Sequence, residues 1–195
     1  MAKRIAIIQG HPDPDGDHFC HALADAYAQG ARAAGHEVRL IEVAKLDFPL
    51  LRRKEEFDSG APPEPIRLAQ ETIAWAEHLV IVYPLWLGTM PALLKGFLEQ
   101  VFRPQFAFDV SGGGKPWHKR LSGKSARIVV TMGMPALAYR WYFGAHGLKN
   151  LKRSILGFAG IGPIRDSLIG MVEAGNGERR AEWLTTLRRL GYEGR

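Results

Sequence analysis

Three short stretches, each directly after an apolar, β-branched run, carry the residue types that could do chemistry. The first is Gly10-His11-Pro12-Asp13-Pro14-Asp15-Gly16-Asp17-His18-Phe19-Cys20. A strand, a tight turn and a helix start in that order make an anion site, because backbone N–H groups converge there and the helix dipole favours negative charge. The stretch is neither a G-x-G-x-x-G fingerprint nor a Walker loop. It reads equally well as a proline-stiffened turn capped by Asp17. The second stretch is Pro84-Leu85-Trp86-Leu87-Gly88-Thr89, running on through Met90 into Pro91-Ala92-Leu93-Leu94-Lys95-Gly96-Phe97. An apolar loop turning sharply at Gly88 can lay backbone N–H groups and a flat surface along a planar heteroaromatic ligand, with Trp86 or Leu87 as a wall. The same side chains would serve a core or a dimer interface. The third stretch is Thr131-Met132-Gly133-Met134-Pro135, followed by Tyr139 and His146. Seven residues apart, Tyr139 and His146 face the same way on a helix or ordered loop. A tyrosine donates a hydrogen bond, and a histidine carries positive charge near neutral pH. That pair suits negative charge developing on a reduced ring, although a tyrosine and a histidine are also ordinary satisfied residues.

The elements that must position these loops are legible in the hydrophobic pattern. Apolar runs at Arg4–Gln9, Leu79–Tyr83 and Ala126–Thr131 are nearly continuous, as strands buried on both faces of a parallel sheet are. Glu37–Val43 and the weaker Ile164–Val172 complete a set of five. Helical segments fall between them: His18 to Ala34, Pro65 to Trp75, Pro91 to Phe102, the mixed stretch Tyr139 to Phe158, and Glu178 to Leu190. Strict alternation predicts an α/β three-layer sandwich around a parallel sheet. Right-handed crossovers and five strands predict the order 2-1-3-4-5, with ligands at the carboxyl ends of the strands. One domain over 1–195 is expected. Leu46–Pro65 and Arg103–Lys124 are long, irregular connections of the kind that carry function or cover a partner surface.

Composition narrows the classes. Apolar residues make up 46% of 195 and charged residues 24%, the balance of a globular chain. No apolar run approaches the length of a membrane span, and Ile5–Ile8 is too short for a signal peptide. One cysteine, Cys20, allows no intrachain disulfide, so a reducing, cytoplasmic setting is expected. The net charge of +6 is spread along the chain rather than gathered in a stripe, which argues against nucleic-acid binding.

Together the three loops resemble the flavodoxin-like NAD(P)H:quinone oxidoreductase family, over roughly 4–162. Tyr83-Pro84-Leu85 through Pro91-Ala92-Leu93-Leu94-Lys95-Gly96-Phe97 is similar to its F-P-L-x(5)-P-x-x-L-K-x-[WF] signature, and Gly10-His11-Pro12 to its phosphate loop. The resemblance implies a flavin, FAD or FMN, reduced by NADPH or NADH in a two-electron, ping-pong transfer through flavin N5 to a quinone-like acceptor. It implies that His11 and Asp17, His18, Phe19 and Cys20 hold the flavin phosphate. Pro84, Leu85, Trp86, Leu87, Gly88 and Thr89 would line the ring, Thr131, Met132, Gly133 and Met134 its pyrimidine side. Tyr139 and His146 would stabilise the reduced form. The chain departs from the pattern in its acidic phosphate turn, where His18 is a substitute donor, in its single glycine at Gly133, and at Trp86.

The family also pairs subunits, so a homodimer is expected, with the stretches around Trp117 and Trp141 as interface. Two other readings stand beside the enzyme. One is an ancillary subunit of a potassium efflux antiporter, as some relatives are; the other is a flavin-free binding module, suggested by Asp15 and Asp17. No membrane insertion is expected.

Overall fold

The computed structural model describes residues 1–15, 17–109, 118–174 and 177–195. Five parallel strands, β1 (Arg4–Gln9), β2 (Glu37–Glu42), β3 (His78–Pro84), β4 (Ser125–Thr131) and β5 (Ile164–Ile169), form one sheet in the order β2-β1-β3-β4-β5. The expected order holds. Its cause is visible strand by strand. The three nearly continuous apolar runs are the central strands β1, β3 and β4, buried on both faces. The mixed runs β2 and β5 are the half-exposed edges.

Among the described residues the α-helices are α1 (Phe19–Ala33), α2 (Lys54–Asp58), α3 (Glu64–Trp75), α4 (Ala92–Val101), α5 (His146–Asn150) and α6 (Gly177–Tyr192). Successive strand residues point to opposite faces. Ile5, Ile7, Val80, Val82 and Val129 therefore pack with α1 and α6, whereas Ala6, Ile8, Ile81, Ile128 and Val130 pack with α3 and α4. The helices α1 and α6 approach unusually closely. A Cβ built on Gly30 would lie 1.8 Å from the Arg188 carbonyl oxygen, and one on Gly191 would lie 2.1 Å from that of Tyr27.

The long connection after β2 is ordered by buried polar side chains. Arg103 donates to the carbonyls of Glu56 and Gly60 at 3.0 and 2.7 Å, and Gln100 holds the Pro49 carbonyl. Part of the second long connection pairs Phe108–Asp109 antiparallel with His118–Lys119. Trp117, expected at an interface, lies outside the described residues. The segment from Tyr139 is not one helix. A π-helical turn, Ala138–Tyr142, ends at Gly144 and Ala145, both left-handed with φ of 65° and 48°. Then α5 begins and runs into a second π-helical turn, Leu151–Leu156.

Candidate active site

The carboxyl ends of β1, β3 and β4 bring all three loops together. The Gly10 N–H bonds the Val82 carbonyl at 2.8 Å, and the Leu85 N–H bonds that of Thr131 at 2.8 Å. Cys20 Sγ and Thr131 Oγ1 share a hydrogen bond of 3.1 Å. His11 and Trp86 stand edge to face, ring centroids 6.4 Å apart. Tyr139 reaches the Gly88 carbonyl at 3.2 Å. Side-chain contacts thus tie the first loop to the third, the first to the second, and the second to the third.

At the first loop, α1 opens with no acidic residue in its first turn and no side-chain cap. The N-cap residue is His18, so the expected cap by Asp17 does not form; Asp17 is exposed. A helix start leaves its first N–H groups, here from Phe19 and Cys20 onward, without intrahelical partners. Three histidines surround that start. The His11 ring stacks on His18 at 3.8 Å, His21 stands 5.4 Å from His11, and His21 stands 5.8 Å from His18. The family resemblance implies His11 and His18; His21 joins them because it lies one helical turn after His18. Burial holds His11 and His21 below the usual imidazole value, and the neighbouring imidazoles add to it.

Asp13 is turned back onto its own loop. It accepts from His18 Nε2 at 2.8 Å and from the Asp15 N–H at 3.0 Å. The hydrogen bond from His18 holds its carboxyl below the usual range. Asp15 is exposed. Beneath the turn, Gln9 is buried; its Oε1 accepts the His11 N–H, and its Nε2 has no partner among the described residues. An unmet buried donor beside a helix start is what an anionic group would satisfy. Burial raises the Cys20 thiol to about 11, and the thiol faces Thr131, so Cys20 offers this site its backbone only.

The second loop is a two-residue hairpin. Trp86 and Thr89 exchange backbone hydrogen bonds of 2.9 and 3.0 Å, with Leu87 and Gly88 at φ of 47° and 81°. Two left-handed residues in succession make the primed type of turn. Gly88 fits that conformation. Leu87 does not, at a cost of about 1 kcal/mol, and its side chain is fully exposed. Pro84 and Leu85 are half-buried beneath the turn. The turn is held from behind, where a Cβ on Gly147 would come within 2.5 Å of the Gly88 carbonyl. The Tyr139 hydroxyl donates to that carbonyl and accepts from the Leu148 N–H at 3.2 Å. Burial raises the Tyr139 phenol.

At the third loop, Thr131 and Met132 are buried and Gly133 is exposed. Met134 receives the Met171 N–H at 3.2 Å. Tyr139 and His146 do not share one helical face. Tyr139 is buried, and His146 is exposed at the start of α5, its ring folded over Gly144. The hydroxyl proton of Tyr139 is directed at Gly88, which leaves the His146 imidazole as the accessible donor of the pair. Exposed apolar side chains form a rim on the second loop, at Trp86 and Leu87, and on the segment after the third, at Leu137, Trp141, Tyr142 and Phe143.

A helix start ringed by histidines and an apolar hairpin thus meet at the carboxyl edge of a doubly wound sheet, the edge where such folds take their ligands. The family model for the flavodoxin-like fold matches residues 3–189, and the chain belongs to that family. It is 27% identical over 214 residues to an FMN-dependent NADH:quinone oxidoreductase of Nitratidesulfovibrio vulgaris, covering 97% of this chain and 98% of that one. It is 25% identical over 190 residues to a ribosyldihydronicotinamide dehydrogenase-like protein of Penicillium crustosum, covering 85% of this chain and spanning 64% of that protein's length. A solved NAD(P)H:quinone oxidoreductase of Methanothermobacter marburgensis superposes over the whole of both chains with a TM-score of 0.83 at 21% identity, a likeness of fold.

Proposed function

We propose that this chain is a flavin-dependent NAD(P)H oxidoreductase that passes two electrons to quinone-like acceptors. The observation that carries the reading is the convergence of the three loops. The His11–Cys20 turn, the Trp86–Thr89 hairpin and the Tyr139–Leu148 segment touch one another at one sheet edge. The names of the relatives, among them an FMN-dependent NADH:quinone oxidoreductase, support it. The residues present fit a flavin mononucleotide moiety, because the unmet Gln9 donor and the start of α1 suit a phosphate while the glycine-bearing hairpin leaves room for a flat ring.

A flavin held there would supply the hydride-transfer chemistry between a nicotinamide and the acceptor. The chain supplies position and charge. His11, His18 and the N–H groups of Phe19 and Cys20 hold the phosphate, with Asp17 at the mouth. Pro84 to Thr89 bed the ring, and Thr131 to Met134 border its pyrimidine side. His146 offers an exposed hydrogen-bond donor to the reduced ring, where fixed donors act most strongly. Tyr139 fixes the Gly88 carbonyl and so the ring bed. Lys149 and Arg153 border a cavity of about 500 Å³ beside His146, which favours NADPH over NADH. A second copy of the chain covers the apolar rim around Trp141, giving a homodimer. The single buried cysteine suits a reducing, cytoplasmic compartment. No helix among the described residues is long and apolar enough to cross a membrane.

Anaerobic stopped-flow mixing of the flavin-loaded protein with NADPH tests the reading. Rapid bleaching of the flavin, faster than with NADH, followed by reoxidation with a quinone, is expected. Flavin that binds but is reduced by neither nucleotide would leave a binding or ancillary role instead.

A further inference from the structure

The opposite edge of the sheet, where the strands begin, holds a second cluster that the redox reading does not use. Four adjacent strand beginnings each place one polar residue there: Lys3 just before β1, His78 at the start of β3, Ser125 at the start of β4, and Arg165 in β5. Strand pairing fixes their spacing, with Ile5 opposite His78, His78 opposite Ser125, and Arg127 opposite Arg165. With Arg195 and Glu193 they border a cavity of about 480 Å³.

The charged side chains lining this cavity are the cations Lys3, Arg165 and Arg195 and the carboxylate Glu193. Lys3 donates to the Gly194 carbonyl at 2.7 Å, and Arg127 donates to the Arg195 carbonyl at 2.8 Å and to Ser167. Arg195 is paired with Glu193, which also accepts from Arg189. Arg165 is exposed and has no partner among the described residues. His78 is 3% exposed; its Nδ1 meets Ser125 Oγ at 2.7 Å, and its Nε2 has no partner among the described residues. Burial and the cations of Lys3, Arg127 and Arg165 hold its imidazole down at about 3. A buried ring nitrogen without a partner among the described residues, set beside an unpaired arginine, suits an anionic group.

We infer that this cavity binds a phosphoryl group, held by Arg165 and Lys3 with the His78 ring as a hydrogen-bond partner at its base. The ligand is inorganic phosphate or a diphosphate, a distinction that cavity size alone leaves to experiment. The role is separate from the redox site, which lies at the other end of the strands. The competing explanation is that these cations serve only to tie down the carbonyls after α6.

The test is thermal unfolding of the FMN-loaded protein in excess FMN, which keeps any flavin-phosphate site filled. Inorganic phosphate and inorganic pyrophosphate are titrated separately, against chloride at equal ionic strength. A saturable rise in Tm of at least about 2 °C is expected for one or both. Arg165→Glu abolishes it while leaving NADPH oxidation unchanged, and Arg165→Lys retains part of it. The stronger of the two anions identifies the ligand. No saturable rise with either anion, or an equal rise in Arg165→Glu, overturns the inference and leaves the cluster as a clasp for the end of α6.

Discussion

At the scale of single residues, the histidines around α1 set the pH behaviour of the site. Burial and mutual proximity disfavour protons on His11 and His21 in the free protein. A bound phosphate opposes both effects, so binding takes up protons and affinity rises as pH falls through the ordinary imidazole range. Fluorescence titration with FMN at pH 8, 7 and 6 should show a falling Kd, by up to about tenfold per pH unit for each coupled proton. A flat profile would mean that the backbone alone holds the phosphate. His146→Ala is expected to keep flavin and slow its reduction by about 100- to 1,000-fold, the size of a lost charge-stabilising donor; an unchanged stopped-flow rate removes His146 from the mechanism. His11 and His18 enter through the family resemblance, whereas the turn after β1 was legible in the sequence because it follows a buried strand. Two things were not. Asp17 reads as a cap on composition, yet the chain enters α1 one residue later. The unmet Gln9 amide depends on which face of β1 it occupies, which a five-strand context decides.

At the scale of elements, the Trp86–Thr89 hairpin is the part on which ring binding turns. Gly88 has open space around its Cβ position but a φ of 81°. A β-branched residue there is strained whatever the room. Gly88→Val is expected to cost roughly 1–3 kcal/mol of local stability, and its Kd for flavin should rise at least about tenfold, about 1.4 kcal/mol, so that purified protein loses flavin. Full flavin content would show that the hairpin does not bed the ring. The turn was legible only in outline. Gly88 marked it, but Leu87 in a left-handed conformation is contrary to residue preference. The Tyr139–Phe158 stretch was read as mixed because its periodicity is mixed: Gly144 and Ala145 break it into two turns, so Tyr139 and His146 lose the shared face their spacing suggested. By contrast, the helix expected over Pro65 to Trp75 forms as α3, with Ile66, Ala69 and Ile73 buried at helical spacing, since a helix lying on a sheet leaves little choice.

At the scale of the whole molecule, the two sheet edges behave differently with pH. His78 is buried and neutral, held at about 3 against an unfolded value of 6.5. The unfolded chain therefore binds one more proton throughout that window. Stability from this group is present above pH 6.5 and is lost as pH falls, at about 1.4 kcal/mol per pH unit. Urea unfolding between pH 7 and 4 should show the wild type losing stability more steeply than His78→Gln; parallel slopes would place the acid sensitivity elsewhere. The sheet order was legible because three central strands are apolar on both faces and two are not. The apolar rim and the cationic far edge were not, since both gather residues from distant segments that only the fold brings together.

The most direct measurement of the central claim is the visible spectrum of the purified protein, with any released cofactor identified by chromatography. The account predicts yellow protein, or colourless protein that takes up FMN or FAD stoichiometrically and is bleached by NADPH. Protein that stays colourless and binds neither flavin would contradict it.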